Sequence, residues 1–188
     1  PSGNRLHIGI FGKTNSGKSA FINAFSGQSV SIVADVKGTT TDPVYKAMEI
    51  APLGPCVLID TAGFDDEGEL GVMRMEKTAL AAQKTELALI LFASEDMETE
   101  LEWFRYFQGK KTPVIPVVSK SDLRSEKENQ TFAEKLREQT KEKVCIVSAK
   151  TGAGIAELKE RMIRMVPKAS AAGPSPGIWY PRETLSSW

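Results

Sequence analysis

Hydrophobic residues along this chain of 188 residues fall into short continuous runs, and longer segments with helical spacing of apolar positions lie between them. Continuous apolar runs are typical of strands buried on both faces, and amphipathic segments are typical of helices that cover them. The alternation predicts an α/β fold with a mostly parallel six-stranded sheet and helices on both faces. The predicted strands are "LHIGIF", "VYKAMEI", "CVLID", "LALILFA", "VIPVVS" and "VCIVSA", and the alternating second run predicts an edge strand.

The helices and the domain boundary follow from the segments between these runs. Helices are predicted for "KSAFINAFS" and for about residues 70–82, 99–107, 131–140 and 155–165, whereas the charged stretch "RSEKENQ" is predicted to be a solvated loop. Residues 1–166 are predicted to form one domain, and residues 167–188, rich in Pro, Gly, Ser and Ala, a linker or tail that leads to further domains. The aromatic residues Trp179, Tyr180 and Trp188 of the tail either pack back on this domain or belong to a neighbour.

The first candidate site is the stretch "GKTNSGKS", which follows the first strand, begins a helix and fits the pattern G-x-x-x-x-G-K-[ST]. Glycines let the backbone N–H groups of such a loop turn inward around phosphates, and the helix N-terminus adds its dipole. Lys18 is predicted to reach the outer phosphates, and the Ser19 hydroxyl is predicted to ligate Mg²⁺. The predicted nucleotide contacts here are Gly12, Lys13, Thr14, Asn15, Ser16, Gly17, Lys18, Ser19 and Ala20.

Three later motifs, each at the carboxyl end of a predicted strand, indicate guanine rather than adenine nucleotides. In "LIDTAG", Asp60 is placed to hold the Mg²⁺ shell and Gly63 to donate its N–H to the γ-phosphate. In "SKSD", Asp122 can accept two hydrogen bonds from guanine N1 and N2, a pattern that adenine cannot offer. The remaining predicted contacts are Ser119 and Lys120 of that motif, and Ser148, Ala149 and Lys150 of "SAK", whose backbone can face guanine O6.

With these motifs in this order, residues 6–166 resemble the TRAFAC-type small GTPases, which are P-loop NTPases. The resemblance implies that GTP or GDP is bound and that "GTTTDP" is the first switch. It also implies that Thr39 and Thr40 contact the nucleotide, with Thr40 joining Ser19 and Asp60 around Mg²⁺. Relatives usually carry Asn where this chain carries Ser119. We expect this serine to brace the base-recognition loop poorly and to reduce guanine affinity by roughly 1 kcal/mol, the contribution of one neutral hydrogen bond.

Phe64 stands where many such proteins carry a glutamine that orients the attacking water. An apolar residue here is similar to the MnmE- and Era-like group, and that resemblance implies slow hydrolysis stimulated by a K⁺ ion beside the phosphates. The implied K⁺ ligands are Asn15 and the backbone carbonyls of Ala34, Val36 and Thr39. The predicted catalytic residues are Lys18, Thr40, Gly63 and Asn15. Two alternatives stay open: Asn15 is also a residue type that turns favour, and Glu67 or Glu69 could position the water or lie in a solvated loop.

The stretches "SIVADVKGTTTDPVYKAMEI", "PLGPCVLIDTAGFDDEGELG" and "GPSPGIWYPRETL" further resemble HydF, the family of maturation GTPases of [FeFe]-hydrogenases. This resemblance implies the N-terminal GTPase domain of a scaffold that carries or assembles a di-iron subcluster, with nucleotide state gating its interactions. Radical-SAM maturases and the apo-hydrogenase are the implied partners, and no iron–sulfur cluster is expected in this chain. The alternatives are an RNA-linked G domain of the tRNA-modification or ribosome-assembly type, and an interaction module that binds nucleotide without hydrolysis.

Composition limits the partners and the location. The chain has 24 basic and 24 acidic residues and a pI near 7.1, which makes a nucleic-acid partner unlikely on charge alone. No apolar run approaches the length of a membrane span and no signal peptide is visible, so a cytoplasmic location without a membrane partner is predicted. Cys56 and Cys145 lie in apolar runs and are predicted to be reduced. Assembly into a homodimer is left open.

Overall fold

The computed structural model of the protein describes residues 5–27, 30–36, 44–51, 53–61 and 79–171. The strands in these residues are β1 (Leu6–Phe11), β2 (Val30–Val36), β3 (Val44–Ile50), β4 (Gly54–Asp60), β5 (Leu87–Phe92), β6 (Val114–Val118) and β7 (Cys145–Ile146). The helices are α1 (Lys18–Ser26), α2 (described over residues 79–84), α3 (Glu98–Gly109), α4 (Glu126–Thr140) and α5 (Ile155–Ala171).

A single seven-stranded sheet forms the middle layer, with the strand order β2-β3-β4-β1-β5-β6-β7. The strands β4, β1, β5, β6 and β7 run parallel, whereas β3 is antiparallel to both of its neighbours. The predicted α/β fold with a mostly parallel sheet is therefore confirmed. Each of the predicted strands is present, and β2 adds a further strand to the six expected.

The prediction that "VYKAMEI" is an edge strand is wrong. This stretch is β3, and β2 pairs with it from Val30 opposite Ile50 to Val36 opposite Tyr45, so β3 has a neighbour on each side. The sequence interpretation had placed part of β2 in a cation-binding loop. It missed that the backbone N–H and C=O groups of this stretch find their partners in an antiparallel strand.

Helices cover both faces of the sheet, as predicted, and each face has its own hydrophobic core. On one face α1 and α5 pack against the strands through buried residues such as Phe21, Phe25 and Met162. On the other face α3 and α4 do so through residues such as Phe107 and Leu136. Because both sheet faces are covered, the central strands are apolar throughout, which explains their continuous hydrophobic runs.

Helix α4 begins five residues before its predicted start, so the last five residues of the predicted loop "RSEKENQ" are helical. All of these except Asn129 are exposed, as predicted. The Ser125 hydroxyl accepts a hydrogen bond from the backbone N–H of Glu128 at 3.1 Å, and the Glu128 carboxylate accepts one from the backbone N–H of Ser125 at 2.9 Å. This capping box satisfies two N–H groups at the start of the helix. The spacing of Ser125 and Glu128 was the sequence signal for it.

Helices α5 and α2 both extend further toward the C-terminus than predicted. Helix α5 continues to Ala171, so the backbone remains helical across Pro167, where a linker was predicted to begin. The boundary at residue 166 stays a prediction, and residues 172–188 lie outside the described residues. For α2, the predicted residues 70–78 also lie outside them, and the helix extends to residue 84. Among the helices that are described, none is both long and apolar enough to span a membrane.

Candidate nucleotide-binding site

Most of the predicted site residues that are described lie at one edge of the sheet. The strands β1, β4, β6 and β7 are parallel, so their carboxyl ends meet at the same edge. The phosphate loop (Gly12–Ser19) follows β1, Asp60 ends β4, and the base loop (Ser119–Arg124) follows β6. Ligands of open α/β sheets bind at this edge, where the loops of neighbouring strands form a crevice.

The phosphate loop has the shape that an anion site requires. A 3-10 turn covers Thr14–Ser16, and Gly17 has a φ of 85°, a left-handed conformation that favours glycine. A Cβ atom placed on Gly12 would lie 2.6 Å from the Ser16 hydroxyl oxygen, so only glycine fits at that position without a shift. The helix α1 that follows has no side-chain cap, which leaves its first N–H groups directed toward the crevice.

Buried polar groups beside this loop fit a phosphate and its metal ion. Lys18 is buried, and its Nζ donates to the carbonyl oxygen of Thr61 at 3.4 Å. The Ser16 hydroxyl is buried without a hydrogen-bond partner among the described residues. Asp60 is buried at the end of β4, and Ser19 lies in the first turn of α1, so the carboxylate and hydroxyl oxygens that Mg²⁺ favours flank the phosphate loop.

A second lysine of the phosphate loop anchors it to residues outside the loop. The Lys13 ammonium donates to the carbonyl oxygen of Asp96 at 2.7 Å and lies 3.3 Å from the Asp96 carboxylate and 3.4 Å from the carboxylate of Glu100. Glu100 is buried in the first turn of α3, and this burial raises the pKa of its carboxyl group. Lys13 was predicted as a nucleotide contact; in the structure it ties the loop to α3.

The base loop is joined directly to the phosphate loop. The Ser119 hydroxyl donates to the carbonyl oxygen of Ser16 at 2.7 Å, and the Lys120 ammonium donates to the carbonyl oxygen of Asn15 at 2.5 Å. Ser119 therefore does brace the two loops, and the geometry does not support the expectation of poor bracing. The predicted reduction in guanine affinity stays untested.

The loop after β7 meets the base loop at Asp122. The Ser148 hydroxyl donates to the Asp122 carboxylate at 2.8 Å and accepts from the backbone N–H of Thr151 at 3.1 Å. Ala149 is half-buried and Lys150 is exposed in the turn that follows. The exposed Asp122 is thus held beside "SAK".

Gly154 closes this loop at the start of α5. It has a φ of 77°, and a Cβ atom at this position would lie 1.9 Å from the carbonyl oxygen of Ile146. The loop can therefore fold back onto β7 only because this residue lacks a side chain. The sequence predicts a helix from about residue 155 but gives no sign of this close approach to β7.

Not all of the predicted site residues come together. Thr39, Thr40 and Gly63 lie outside the described residues. Ala34 and Val36 lie in β2, opposite Ala47 and Tyr45 of β3. Two strands separate β2 from β1, which is a lateral distance of about 14 Å at the usual strand spacing. Ala34 and Val36 are thus strand residues in the structure, and their assignment as K⁺ ligands beside Asn15 stays a prediction.

Sequence reasoning missed two side chains that support the base loop. Arg124, the last residue of the loop, and Asn129 of α4 contact its backbone. Both lie in "RSEKENQ", the stretch that was predicted to be a solvated loop. The helix cap at Ser125 was the signal that could have placed them on a packed element.

This sheet, with a glycine-rich phosphate loop after β1 and a base loop after β6, defines the GTP-binding class of P-loop domains. The sequence model of the family described as "50S ribosome-binding GTPase" matches residues 7–120, which is more than half of the chain. The chain belongs to that family of GTPases.

Individual relatives agree on the class. The chain is 31% identical over 166 residues to the "tRNA modification GTPase MnmE" of Endomicrobium trichonymphae, covering 85% of this chain and 35% of that protein. It is 34% identical over 174 residues to the "GTPase Der" of Wolinella succinogenes, covering 85% of this chain and 36% of that one. It therefore spans about a third of the length of these relatives.

A solved structure agrees on the fold. Era in complex with MgGDPNP and nucleotides 1506–1542 of 16S ribosomal RNA superimposes with a TM-score of 0.64 at 22% identity, covering 86% of this chain and 56% of that chain. The relatives named here support a GTPase domain of the MnmE and Der type, and the Era structure supports its fold. They lend no support to the narrower resemblance to hydrogenase maturation GTPases.

Proposed function

We propose that this chain is the nucleotide domain of a larger protein, in which it binds GTP with Mg²⁺ and hydrolyses it to GDP and phosphate. Its interactions with partners depend on which of the two nucleotides is bound. One observation carries the proposal. Three loops that are far apart in sequence are joined by direct hydrogen bonds: Ser119 to Ser16, Lys120 to Asn15, and Ser148 to Asp122. A phosphate site and a base site are thereby held at a fixed spacing along one edge of the sheet.

Guanine is the base that this arrangement fits. The Asp122 carboxylate is a pure acceptor, and guanine presents two adjacent donors, N1–H and the 2-amino group, whereas adenine presents no such pair. Lys18 offers a positive charge to the outer phosphates, and bound Mg²⁺ would supply further charge stabilisation as the β–γ bond breaks. Ser19 and Asp60 are the described residues that would hold this ion, with Thr40 as the ligand implied by resemblance.

The experiment exchanges the hydrogen-bonding pattern at Asp122. Asp122→Asn replaces one acceptor oxygen by a donor, so the affinity for GDP is expected to fall by about 100-fold or more while xanthosine diphosphate, which has an acceptor at C2, gains. Glu138→Gln, an exposed change on α4, is the matched control. Equal affinity for GDP and ADP in the unaltered protein would contradict the proposal. Phosphate release from GTP in the same protein separates hydrolysis from binding alone.

K⁺ stimulation remains a proposal with a limited basis. Asn15 is exposed in the phosphate loop, and its carbonyl group, but not its side chain, has a partner in Lys120. The places of Ala34 and Val36 give this proposal no support. Turnover in KCl against NaCl tests it, and equal rates that Asn15→Ala leaves unchanged would rule it out.

The role of the larger protein has two candidates. The relatives named for tRNA modification favour an RNA-linked G domain, and they weigh against the expectation that nucleic acid is an unlikely partner. Hydrogenase maturation, with radical-SAM maturases and an apo-hydrogenase as partners, rests on the resemblance of three sequence stretches. Affinity of the full-length protein for RNA that falls steeply with salt supports the first. Loss of hydrogenase maturation in cells carrying Lys18→Ala, without RNA binding, supports the second. We also propose that the protein lies in the cytoplasm and that it can assemble into a homodimer.

A further inference from the structure

The segment after Asp122 carries a basic side chain, Arg124, to which no nucleotide contact is assigned. Arg124 is half-buried, and its guanidinium lies between the loop that follows β5 and the base loop that follows β6. Its Nη2 donates to the carbonyl oxygen of Ala93 at 2.5 Å, and its Nη1 donates to the carbonyl oxygen of Ser119 at 3.1 Å. One side chain thus connects two loops at the nucleotide edge of the sheet.

The guanidinium is itself held in place by α4. Its central carbon lies 4.8 Å from the centre of the Phe132 ring, within the range of a cation–π contact. The Asn129 side-chain oxygen accepts from Arg124 Nη1 at 3.3 Å, and the Asn129 amide nitrogen donates to the carbonyl oxygen of Ser121 at 2.9 Å. Asn129 is buried, so this bridge is sheltered from water.

The pair formed by Arg124 and Asn129 therefore binds the base loop on both sides of Lys120. Ser119 is held by Arg124 and Ser121 by Asn129, and the Lys120 carbonyl oxygen lies 3.5 Å from Arg124 Nη1. Lys120 has a φ of 55°, a left-handed conformation that residues with a Cβ atom avoid. Such a conformation persists where its surroundings determine it from several directions.

We propose that Arg124, supported by Asn129, is a positioning residue that sets the base-dependent part of nucleotide affinity by fixing the backbone of the base loop. This inference rests on the proposed binding of guanine nucleotides. The contacts of Ser119 and Lys120 with the phosphate loop fix the base loop from one side, and Arg124 fixes it from the other. Asp122, two residues before Arg124, then stays where Ser148 and a guanine edge can both reach it.

Arginine suits this position better than lysine. Its planar fork presents donors in two directions at once, which is what carbonyl oxygens on two separate loops require. A lysine would keep the positive charge and the contact with Phe132 but could not hold Ala93 and Ser119 together with the same geometry. Arg124→Lys is therefore expected to keep only part of the GDP affinity that Arg124→Met loses.

The test separates base-dependent from phosphate-dependent binding. The dissociation constants of GDP, inosine diphosphate and inorganic tripolyphosphate are measured for the unaltered protein, Arg124→Met and Arg124→Lys, with Arg105→Gln, an exposed change on α3, as the control. Arg124→Met is expected to weaken the binding of GDP by about 10-fold and the binding of tripolyphosphate by less than about twofold. The preference for GDP over inosine diphosphate, which lacks the 2-amino group, is expected to shrink in the same variant.

The possible outcomes are distinct. If GDP and tripolyphosphate weaken equally in Arg124→Met, the residue has only a structural role and the inference is overturned. If the unaltered protein shows no preference for guanine nucleotides, the proposed function fails first. Where Arg124→Met does not fold, Arg124→Lys and Phe132→Leu, which removes the ring beneath the guanidinium, are compared with the unaltered protein. An unchanged ratio of GDP to tripolyphosphate affinity in both variants overturns the inference.

Discussion

The phosphate loop and the base loop lie at the same edge of one sheet, but they are stabilised in different ways. The phosphate loop takes its shape from residues within it. Ser16 donates its backbone N–H to the carbonyl oxygen of Lys13 at 2.9 Å, Gly17 supplies the left-handed turn, and Gly12 leaves room for the Ser16 hydroxyl. Most of this geometry is local, so a short sequence pattern is enough to predict it.

The base loop depends on contacts with residues outside it. Its left-handed residue is Lys120 rather than glycine, and its backbone is held by Arg124, the last residue of the loop, and by Asn129 of α4. Ser148, 26 positions from Asp122, completes the arrangement. The difference teaches that a loop made of glycine and backbone is specified by its own sequence, whereas a loop made of side-chain contacts is specified by the fold around it.

The largest expected effect concerns the loop that supports Asp122 from β7. Gly154→Ala combines a positive φ with a Cβ atom 1.9 Å from the Ile146 carbonyl oxygen. The free energy of unfolding is expected to fall by about 4 kcal/mol, measured by urea denaturation. The control is Gly109→Ala at the end of α3, where a Cβ atom meets nothing within 4 Å. That change is expected to alter stability by less than about 1 kcal/mol. Equal stability of the two variants would show that the approach of Gly154 to Ile146 does not require glycine.

Lys18 is the corresponding test of the phosphate side. Lys18→Ala removes a buried positive charge from the phosphate loop, and GTP affinity is expected to fall by about 100-fold because charge-assisted hydrogen bonds to phosphate are lost. Titration of a fluorescent GTP analogue measures it. Lys127→Ala, an exposed lysine on α4, serves as the comparison and is expected to leave affinity unchanged. If the Lys18 variant binds tripolyphosphate as tightly as the unaltered protein, the phosphates do not bind beside Lys18.

A smaller effect is expected where the two loops meet. Ser119→Ala deletes the 2.7 Å hydrogen bond to the Ser16 carbonyl, and GDP affinity is expected to fall by about fivefold, as for one neutral hydrogen bond. Calorimetric titration measures the change. Ser94→Ala removes an exposed hydroxyl whose nearest partner lies at 3.5 Å and is expected to have no effect. If both variants bind GDP like the unaltered protein, the two loops act independently.

The smallest effect is a pH dependence that distinguishes the anchors of the two loops. Burial raises the pKa of Glu100 above its ordinary 4.5, so the folded state releases this proton later than the unfolded state. The free energy of unfolding should therefore fall as pH rises above 4.5, and Glu100→Gln, which keeps an acceptor for Lys13, should lessen that fall. Thermal unfolding across this pH range measures it. A Glu100→Gln variant with the same pH slope would contradict the assignment.

Glu128, in the helix cap behind the base loop, supplies the control of opposite sign. The backbone N–H of Ser125 lowers the pKa of this carboxyl group, so its contribution to stability is present at neutral pH and is lost as pH falls. Glu128→Gln should therefore reduce the loss of stability on acidification. Relative to the unaltered protein, changes of the same sign in the pH dependence of the two variants would contradict this difference between Glu100 and Glu128.

The parts of the site that could be predicted from sequence are those with a local pattern. Asp122 and Ser148 follow buried strands in the expected order, and the structure joins them by a hydrogen bond. The strand β2 was missed because its pairing with β3 is a contact between segments that no periodicity within either one specifies. Arg124 was missed because a charged stretch reads as solvent-exposed until the cap at Ser125 is recognised.

The sequence by itself determined the class of this protein: alternating apolar runs required a covered parallel sheet, and the glycines around Lys18 required a phosphate loop after its first strand. Only the tertiary structure decided how the base loop is held. The positions of Ser119, Arg124 and Gly154 matter through carbonyl oxygens on other loops and strands. Contacts of that kind depend on where distant backbone segments meet in space, and the order of residues in a short motif does not contain that information.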